Sequence, residues 1–211
     1  MTDNSPSPAR TRNRRGEGAR LRDEIVAAAV ELLDETGDES AISLRSVARR
    51  AGIAPPSIYR HFPDQPTIML AVVQQAFAEL EAKLRLALDD ADDGPRARLF
   101  AVCEGYLDFA KQHPERYRTM FGGLWMPALE ETSLTEADMA ALGSECMALL
   151  REVLDGCLAA GLATSTDPAA DTVALWLGLH GLAHQRAVTV AFPWPPDIAQ
   201  RLITTLAHIR D

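Results

Sequence analysis

The sequence is poor in cysteine and in long apolar runs. Cys103, Cys146 and Cys157 form an odd set with no CxxC pair, so we expect reduced, mostly buried thiols and neither a disulfide framework nor a zinc site. The longest apolar stretch, 173–183, is interrupted by His180 and is far shorter than the roughly 20 residues of a membrane-spanning helix. The basic N-terminus lacks the apolar core of a secretory leader. We therefore expect a cytoplasmic protein without a membrane partner.

Catalytic motifs are also missing. The 211 residues contain no nucleophile elbow, phosphate-binding loop or glycine-rich dinucleotide turn. His180 and His184 share one face of a predicted helix and have the spacing of metal ligands. However, no HExxH glutamate accompanies them, and Arg186 would repel a cation. The sequence therefore predicts no enzyme, no cofactor and no metal, and a single buried histidine is the alternative interpretation of the pair.

Charge is distributed unevenly along the chain. The formal net charge is −9, yet residues 1–65 hold ten arginines and ten acids, whereas residues 66–211 hold eleven basic and twenty acidic residues. Only Glu17 opposes six arginines that lie within thirteen positions near the N-terminus. These are Arg10, Arg12, Arg14, Arg15, Arg20 and Arg22. A basic end on an acidic body is compatible with a nucleic-acid partner or with a solubilising tail.

Hydrophobic periodicity predicts an all-α protein, because no segment alternates with a period of two for the length of a strand. Residues 1–18 are rich in Ser, Pro and Arg and are predicted to form a disordered basic arm. Residues 19–65 are predicted to form a three-helix N-terminal domain, and residues 66–211 a C-terminal helical bundle that begins with a long helix ending at Leu88. The further predicted helices are 95–112, 114–122, 135–160, 168–191 and 197–210.

The stretch AGIAPPSIYRHFPDQPTIML (51–70) has the pattern of a helix-turn-helix. Ser43 is a suitable N-cap for the preceding helix, Gly52 can adopt a turn conformation that a side chain would penalise, and Ile53 and Ile58 fill the angle between the helices. The second helix directs polar, aromatic and basic side chains outward, as a helix in the major groove does. An ordinary helical hairpin with a solvated face is the alternative. The outward side chains are Ser57, Tyr59, Arg60 and His61.

The segment SLRSVARRAGIAPPSIYRHFPDQPTIM resembles the DNA-binding part of TetR-type transcriptional regulators, with a match that covers residues 20–72. The resemblance implies that Ser43 caps its helix against a phosphate and that Arg45 lies beside the DNA backbone. Gln65 stands where this family usually has a phosphate-contacting lysine, and Pro56 replaces a glycine or small polar residue. The implied DNA-binding residues are Ser43, Arg45, Ser57, Tyr59, Arg60, His61 and Gln65.

The C-terminal part has a looser resemblance. YLDFAKQHPERYRTMF (106–121) and the motif Trp176-x-x-x-His180-Gly181 are similar to the TetR C-terminal subtype named for Trp-His-Gly. The resemblance implies a homodimer that represses transcription at a palindromic double-stranded operator and releases this DNA when a small apolar or aromatic effector binds. We expect the effector to contact Phe77, Cys103, Tyr106, Phe121, Trp125, Cys146, Trp176 and His180.

The last two predicted helices have adjoining apolar faces that suit a two-fold seam. Gly178 and Gly181 would allow helices to approach closely there. Packing inside one subunit is the alternative for these faces, and plain core packing is the alternative for the effector residues. The rival to a regulator is an all-α ligand-binding or enzyme domain whose basic N-terminus is incidental. The seam residues would be Ala174, Leu177, Gly178, Gly181, Leu182, Ile198, Leu202, Thr205, Leu206 and Ile209.

Overall fold

The computed structural model describes residues 17–123 and 125–210, and within them it is all-helical except for an isolated bridge between Ala163 and Ile209. The all-α prediction is confirmed. The predicted disordered arm lies outside the described residues as far as residue 16, and the first helix already includes residues 17 and 18. The helices are α1 (Glu17–Thr36), α2 (Leu44–Arg50), α3 (Pro55–Ile58), α4 (Gln65–Asp89), α5 (Pro95–Gln112), α6 (Pro114–Phe121), α7 (Glu136–Ala140), α8 (Ser144–Ala159), α9 (Pro168–Val188) and α10 (Ile198–Leu206).

The first three helices and the start of α4 enclose one apolar core. Ser43 begins α2 through a capping box, because its hydroxyl accepts a hydrogen bond from the Ser46 amide at 3.1 Å. Gly52 has a φ of 65°, in the left-handed region that glycine adopts without strain. Ile58 is fully buried and Phe62 almost fully, so these two residues anchor a helix of only four residues that could not persist alone.

Helix α4 belongs to both halves of the molecule. Its 25 residues extend about 37 Å at 1.5 Å per residue. Ile68 and Val72 in its first turns complete the N-terminal core, whereas Leu80 and Leu84 further along pack in the C-terminal core. The two halves are therefore joined by a continuous helix.

The C-terminal bundle is arranged around α5, which contacts α4, α6, α8, α9 and α10. Leu99 of α5, Leu154 of α8 and Leu175 of α9 are completely buried at its centre. No helix in the described ranges is long and apolar enough to cross a membrane.

The structure corrects three predicted helix boundaries. The predicted helix 135–160 is divided into α7 and α8 at Gly143, whose φ of 74° ends helical geometry. A Cβ atom at this position would lie 2.6 Å from Cε1 of Phe77, so close approach also requires a glycine here. The helix predicted over 168–191 ends at Val188, and the helix predicted over 197–210 ends at Leu206.

Candidate DNA interface and effector cavity

The recognition segment, which we define as residues 55–62, combines a buried anchor with an exposed tip. The amides of His61 and Phe62 both donate to the carbonyl of Ile58 at 2.9 Å, so the turn stays compact beyond α3. Tyr59 is 53% exposed and Arg60 is exposed, while Ser57 and His61 are half-buried. The four side chains predicted to contact DNA thus lie together on one short rigid segment.

The flanking predicted residues differ in how free they are. The Ser43 hydroxyl is used within the fold, because it also donates to the Ser46 hydroxyl at 3.0 Å. Arg45 is exposed, and no described residue forms an ion pair or hydrogen bond with its side chain. Gln65 is exposed at the start of α4, and its amide nitrogen donates a long 3.4 Å bond to the Glu39 carbonyl. Of the three, Arg45 keeps all its donors available.

Sequence reasoning missed two arginines near this surface. Arg49 lies four residues after Arg45 on α2, so the two share a helix face, and it too lacks an ion pair within the described part of the chain. The guanidinium carbon of Arg22 lies 5.0 Å above the ring centroid of Phe62, within cation–π range. The helical spacing from Arg45 was the signal that could have identified Arg49.

Other arginines are held by carboxylates between helices. Arg50 of α2 pairs with Glu35 and, at 3.4 Å, with Glu31 of α1. Arg116 of α6 pairs with Asp34 of α1, with 3.0 Å between Nη2 and Oδ2, and with Glu79 of α4 at 3.1 Å. Arg116 thereby connects α6, a helix of the C-terminal bundle, to the N-terminal domain.

The C-terminal bundle contains an apolar cavity of about 290 Å³ that is lined by α4, α5, α6, α8 and α9 and is partly open to the surface beside Val173, which is 45% exposed. Five of the predicted effector residues line it, namely Phe77, Tyr106, Phe121, Cys146 and Trp176. No charged side chain is part of the lining. The remaining walls come from Leu80, Leu84, Val102, Leu142, Gly143, Met147, Leu150, Val173 and Leu179.

Three predicted effector residues do not line the cavity. Cys103 is fully buried in the helical core, and burial raises the pKa of its thiol. Trp125 packs against the N-terminal core near Leu33 and Met69, because the chain after α6 folds back along the DNA-binding domain. In that returning segment, residues 125–133, the Ser133 amide donates to Asp64 Oδ2 at 2.8 Å.

His180, the third, lies behind the cavity wall. Its Nδ1 is 2.6 Å from the Tyr117 hydroxyl and 3.4 Å from the Tyr106 hydroxyl, and its ring stacks on Trp176 with centroids 5.7 Å apart. Burial, and secondarily the neighbouring His184, lower the pKa of His180. The neutral imidazole and the Tyr117 hydroxyl form a hydrogen bond that ties α6 to α9.

Cys146 is the thiol at the cavity wall. Its Sγ donates to the Phe77 carbonyl at 3.7 Å, which links α8 to α4. Burial, together with the nearby carboxylates of Glu81 and Glu145, raises the pKa of Cys146 to about 12. The group is accordingly a neutral thiol at physiological pH.

The predicted seam separates into an inner and an outer set. Leu202 and Leu206 pack on Gly178 of their own chain, where an added Cβ would lie 2.4 Å from Leu206 Cδ1. The glycine therefore allows α9 to pack closely on α10 within one subunit, and Leu202 and Leu206 stay half-buried there. Leu177 is 54% exposed, and a Cβ at Gly181 would meet nothing. The exposed apolar residues Val173, Leu177, Val188, Val190 and Phe192 continue from α9 into the following loop.

Comparison with known proteins gives two family matches. The family of bacterial regulatory proteins of the TetR type matches residues 25–72, and the tetracyclin repressor-like C-terminal domain matches residues 99–209. The HTH-type transcriptional activator FasR of Mycolicibacterium smegmatis is 32% identical over 147 residues, which are 63% of this chain and 63% of that protein. The match therefore spans slightly less than two thirds of this relative.

Solved structures show the same fold. A protein of unknown function from Rhodococcus sp. RHA1 superposes with a TM-score of 0.70 and 25% identity, covering 92% of this chain and 95% of that one. The fatty acid degradation regulator FadR of Bacillus halodurans superposes with a TM-score of 0.65 over 93% of this chain and 97% of its own. Its 15% identity supports a shared architecture alone.

Proposed function

The chain belongs to the TetR family of DNA-binding transcriptional regulators, and from that membership we propose that it is a homodimeric repressor whose operator affinity changes when an apolar effector enters the C-terminal cavity. The family is a class of regulators and not of enzymes. The observation that carries the proposal is the coexistence of an exposed recognition segment and an uncharged cavity in two regions that α4 and α6 connect. Since FasR is named as an activator, activation at the same operator is the second candidate.

We assign the DNA contacts by exposure. Tyr59, Arg60 and His61 reach bases and phosphates from the tip of the recognition segment, with Ser57 beside them. Arg45 and Arg49 contact the phosphate backbone from α2, and Gln65 lies near the backbone at the first turn of α4. Ser43 contributes by holding the start of α2, since its hydroxyl is already bonded to Ser46.

Binding of the purified protein to promoter fragments of neighbouring genes, measured over a range of salt concentrations, tests this assignment. Arg60→Ala should weaken operator binding and reduce the salt slope by about one unit per subunit if it contacts phosphate. Arg201→Ala is the matched control, because Arg201 is exposed on α10 far along the chain from the recognition segment. Equal behaviour of the two variants would contradict the assignment. The transcript level of the bound gene in a deletion strain distinguishes repression from activation.

We propose that Val173, Leu177 and Val188, the exposed apolar stripe of α9, form the two-fold seam between two subunits. Exposed aliphatic residues repeated along one helix can pack against the same surface of a second copy. Leu177→Glu should yield monomers in sedimentation and abolish tight operator binding, since each half-site alone offers half the contacts. Leu86→Glu is the control, as Leu86 is 60% exposed on α4 outside the stripe. A Leu177→Glu dimer would place the seam elsewhere.

The effector can alter operator affinity only by binding differently to two arrangements of the molecule. Two connections make this possible. Phe121 lines the cavity at the end of α6, and Arg116 on the same helix pairs with Asp34 of α1. The returning segment 125–133 leads from α6 to Asp64, the N-cap of α4. A displacement of α6 by a bound effector is therefore transmitted to the orientation of the DNA-binding domain.

A further inference from the structure

The polar groups of the cavity wall are few and are all hydrogen-bond donors. The lining contains one hydroxyl (Tyr106), one indole N–H (Trp176) and one thiol (Cys146). No side-chain amide, carboxylate or cation faces this space among the described residues. The thiol donates to the Phe77 carbonyl at 3.7 Å, and the Trp176 indole is near enough to the Tyr106 oxygen to oppose the rise that burial causes in the pKa of this phenol. The Tyr106 proton is the remaining donor.

That proton lacks a good acceptor inside the protein. With the imidazole in the tautomer that carries its proton on Nε2, the Tyr117 hydroxyl donates to His180 Nδ1 at 2.6 Å, which occupies the one lone pair that this ring can offer. The Tyr117 oxygen is then the acceptor left for Tyr106, at 3.4 Å. An O–H···O bond normally measures about 2.7–2.8 Å, so the bond is weak. Tyr106 is only 5% exposed, and water cannot compensate for it freely.

We infer that the effector is an uncharged molecule with a small apolar body and one acceptor, such as a carbonyl oxygen, that binds the Tyr106 hydroxyl. The cavity of about 290 Å³ is at the lower end of the roughly 300–1,000 Å³ of ligand pockets, which favours a small molecule. This inference rests on the proposed function of the cavity as an effector site.

Charge selects against anions. A carboxylate entering the cavity would lose its hydration and meet no cation in the lining. His180 cannot substitute for one, because burial keeps its imidazole neutral and Tyr117 holds its Nδ1. The Tyr106 hydroxyl stays protonated, since burial raises its pKa further above the ordinary value. A neutral acceptor therefore suits this site better than an acid of the same shape.

Three probes of nearly equal shape test the inference by calorimetric titration of the full-length protein. Acetophenone carries a carbonyl, ethylbenzene replaces it by a methylene, and benzoate replaces the methyl group by a charged oxygen. Tyr106→Phe should lower acetophenone affinity about three- to tenfold, the effect of one neutral hydrogen bond, while ethylbenzene affinity stays within about twofold. Retained ethylbenzene binding also shows that the variant keeps its cavity.

Cys146→Ala is the matched control, because it removes a different hydrogen-bond donor of the same cavity wall. It should leave the ratio of acetophenone to ethylbenzene affinity unchanged. Loss of this ratio in Cys146→Ala but not in Tyr106→Phe would overturn the inference. Tighter binding of benzoate than of acetophenone to the wild-type protein would overturn it as well, whether or not the variants fold.

The proposed regulatory role can fail separately. Binding of the probes in the expected pattern without any change in operator affinity would support the cavity chemistry and contradict the effector role. Absence of binding by all three probes would overturn the cavity chemistry and the effector site together, whereas DNA binding by residues 55–62 would be unaffected.

Discussion

The two regions joined by α4 are built in opposite ways. In the N-terminal region the core is filled: Ile25, Ile42 and Ile58 have no exposed surface, and the residues proposed to act lie outside it. In the C-terminal region the helices leave about 290 Å³ of apolar space between them, and the proposed functional residues line it. A filled core holds a short recognition segment rigidly. A core with a cavity makes fewer packing contacts, but it has room for a bound molecule. The same kind of mutation should therefore have different consequences in each region.

Two adjacent residues of the recognition segment give the largest expected difference. Ile58→Ala should cost about 2–5 kcal/mol of unfolding free energy, because it opens a hole in a filled core. Tyr59→Ala should change that free energy by no more than about 0.5 kcal/mol, yet weaken operator binding by on the order of 1–3 kcal/mol. Urea unfolding followed by circular dichroism, together with gel-shift titration, measures both. If Tyr59→Ala unfolds as easily as Ile58→Ala, the separation of packing from recognition fails.

A second pair compares hollow with filled positions inside the C-terminal region. Leu154→Phe should destabilise the protein by about 1–3 kcal/mol, since Leu154 is completely buried and does not line the cavity. Leu150→Phe should cost less than about 1 kcal/mol, because the added ring can occupy the cavity. The latter variant should also lose acetophenone binding. Thermal unfolding measures the stability of the two variants, and calorimetry measures acetophenone binding. Equal destabilisation by Leu154→Phe and Leu150→Phe would contradict the presence of a cavity beside Leu150.

A third pair examines the junction of the two regions. Asp64 caps α4 by accepting a hydrogen bond from the Thr67 amide at 2.9 Å, and Asp167 caps α9 by accepting one from the Ala170 amide at 3.1 Å. Replacing either by alanine should cost about 1 kcal/mol. Only Asp64→Ala should speed hydrogen exchange at the Ser133 amide, because the Asp64 carboxylate also accepts a hydrogen bond from this amide. Unchanged exchange there would mean that the returning segment is held by Trp125 alone.

The smallest expected effect is a pH dependence of the C-terminal region. Burial holds the pKa of His180 below its ordinary value, which is about 6.5. The unfolded chain therefore takes up the proton first as pH falls below about 6.5, so His180 makes stability decrease on acidification and leaves it unaffected above that pH. His180→Gln should flatten the loss of stability below about pH 6.5. Chemical unfolding at several pH values measures this loss, and an unchanged pH dependence in the variant would contradict the expectation.

The sequence predicted the N-terminal region well because its determinants are local. Ser43, Gly52 and Ile58 each have a fixed backbone role within a few residues of one another. The division at Gly143 was missed because apolar residues on both sides of it keep a helical period, and the contact with Phe77 lies 66 positions away. Trp125 was misplaced for a related reason: periodicity does not report where a non-helical segment folds back. An amphipathic face, likewise, does not state whether α10 or a second subunit covers it, so Leu202 and Leu206 were ambiguous.

The cavity thiol offers a chemical readout of occupancy. Because burial raises the pKa of Cys146 to about 12, its thiolate is scarce at pH 8 and alkylation by a small reagent such as iodoacetamide is slow. Cys103 and Cys157 are buried and do not line the cavity. The labelling rate of Cys146, followed by mass spectrometry, therefore reports the fraction of molecules whose cavity is filled. Unlabelled compounds can be screened by how far they slow this rate.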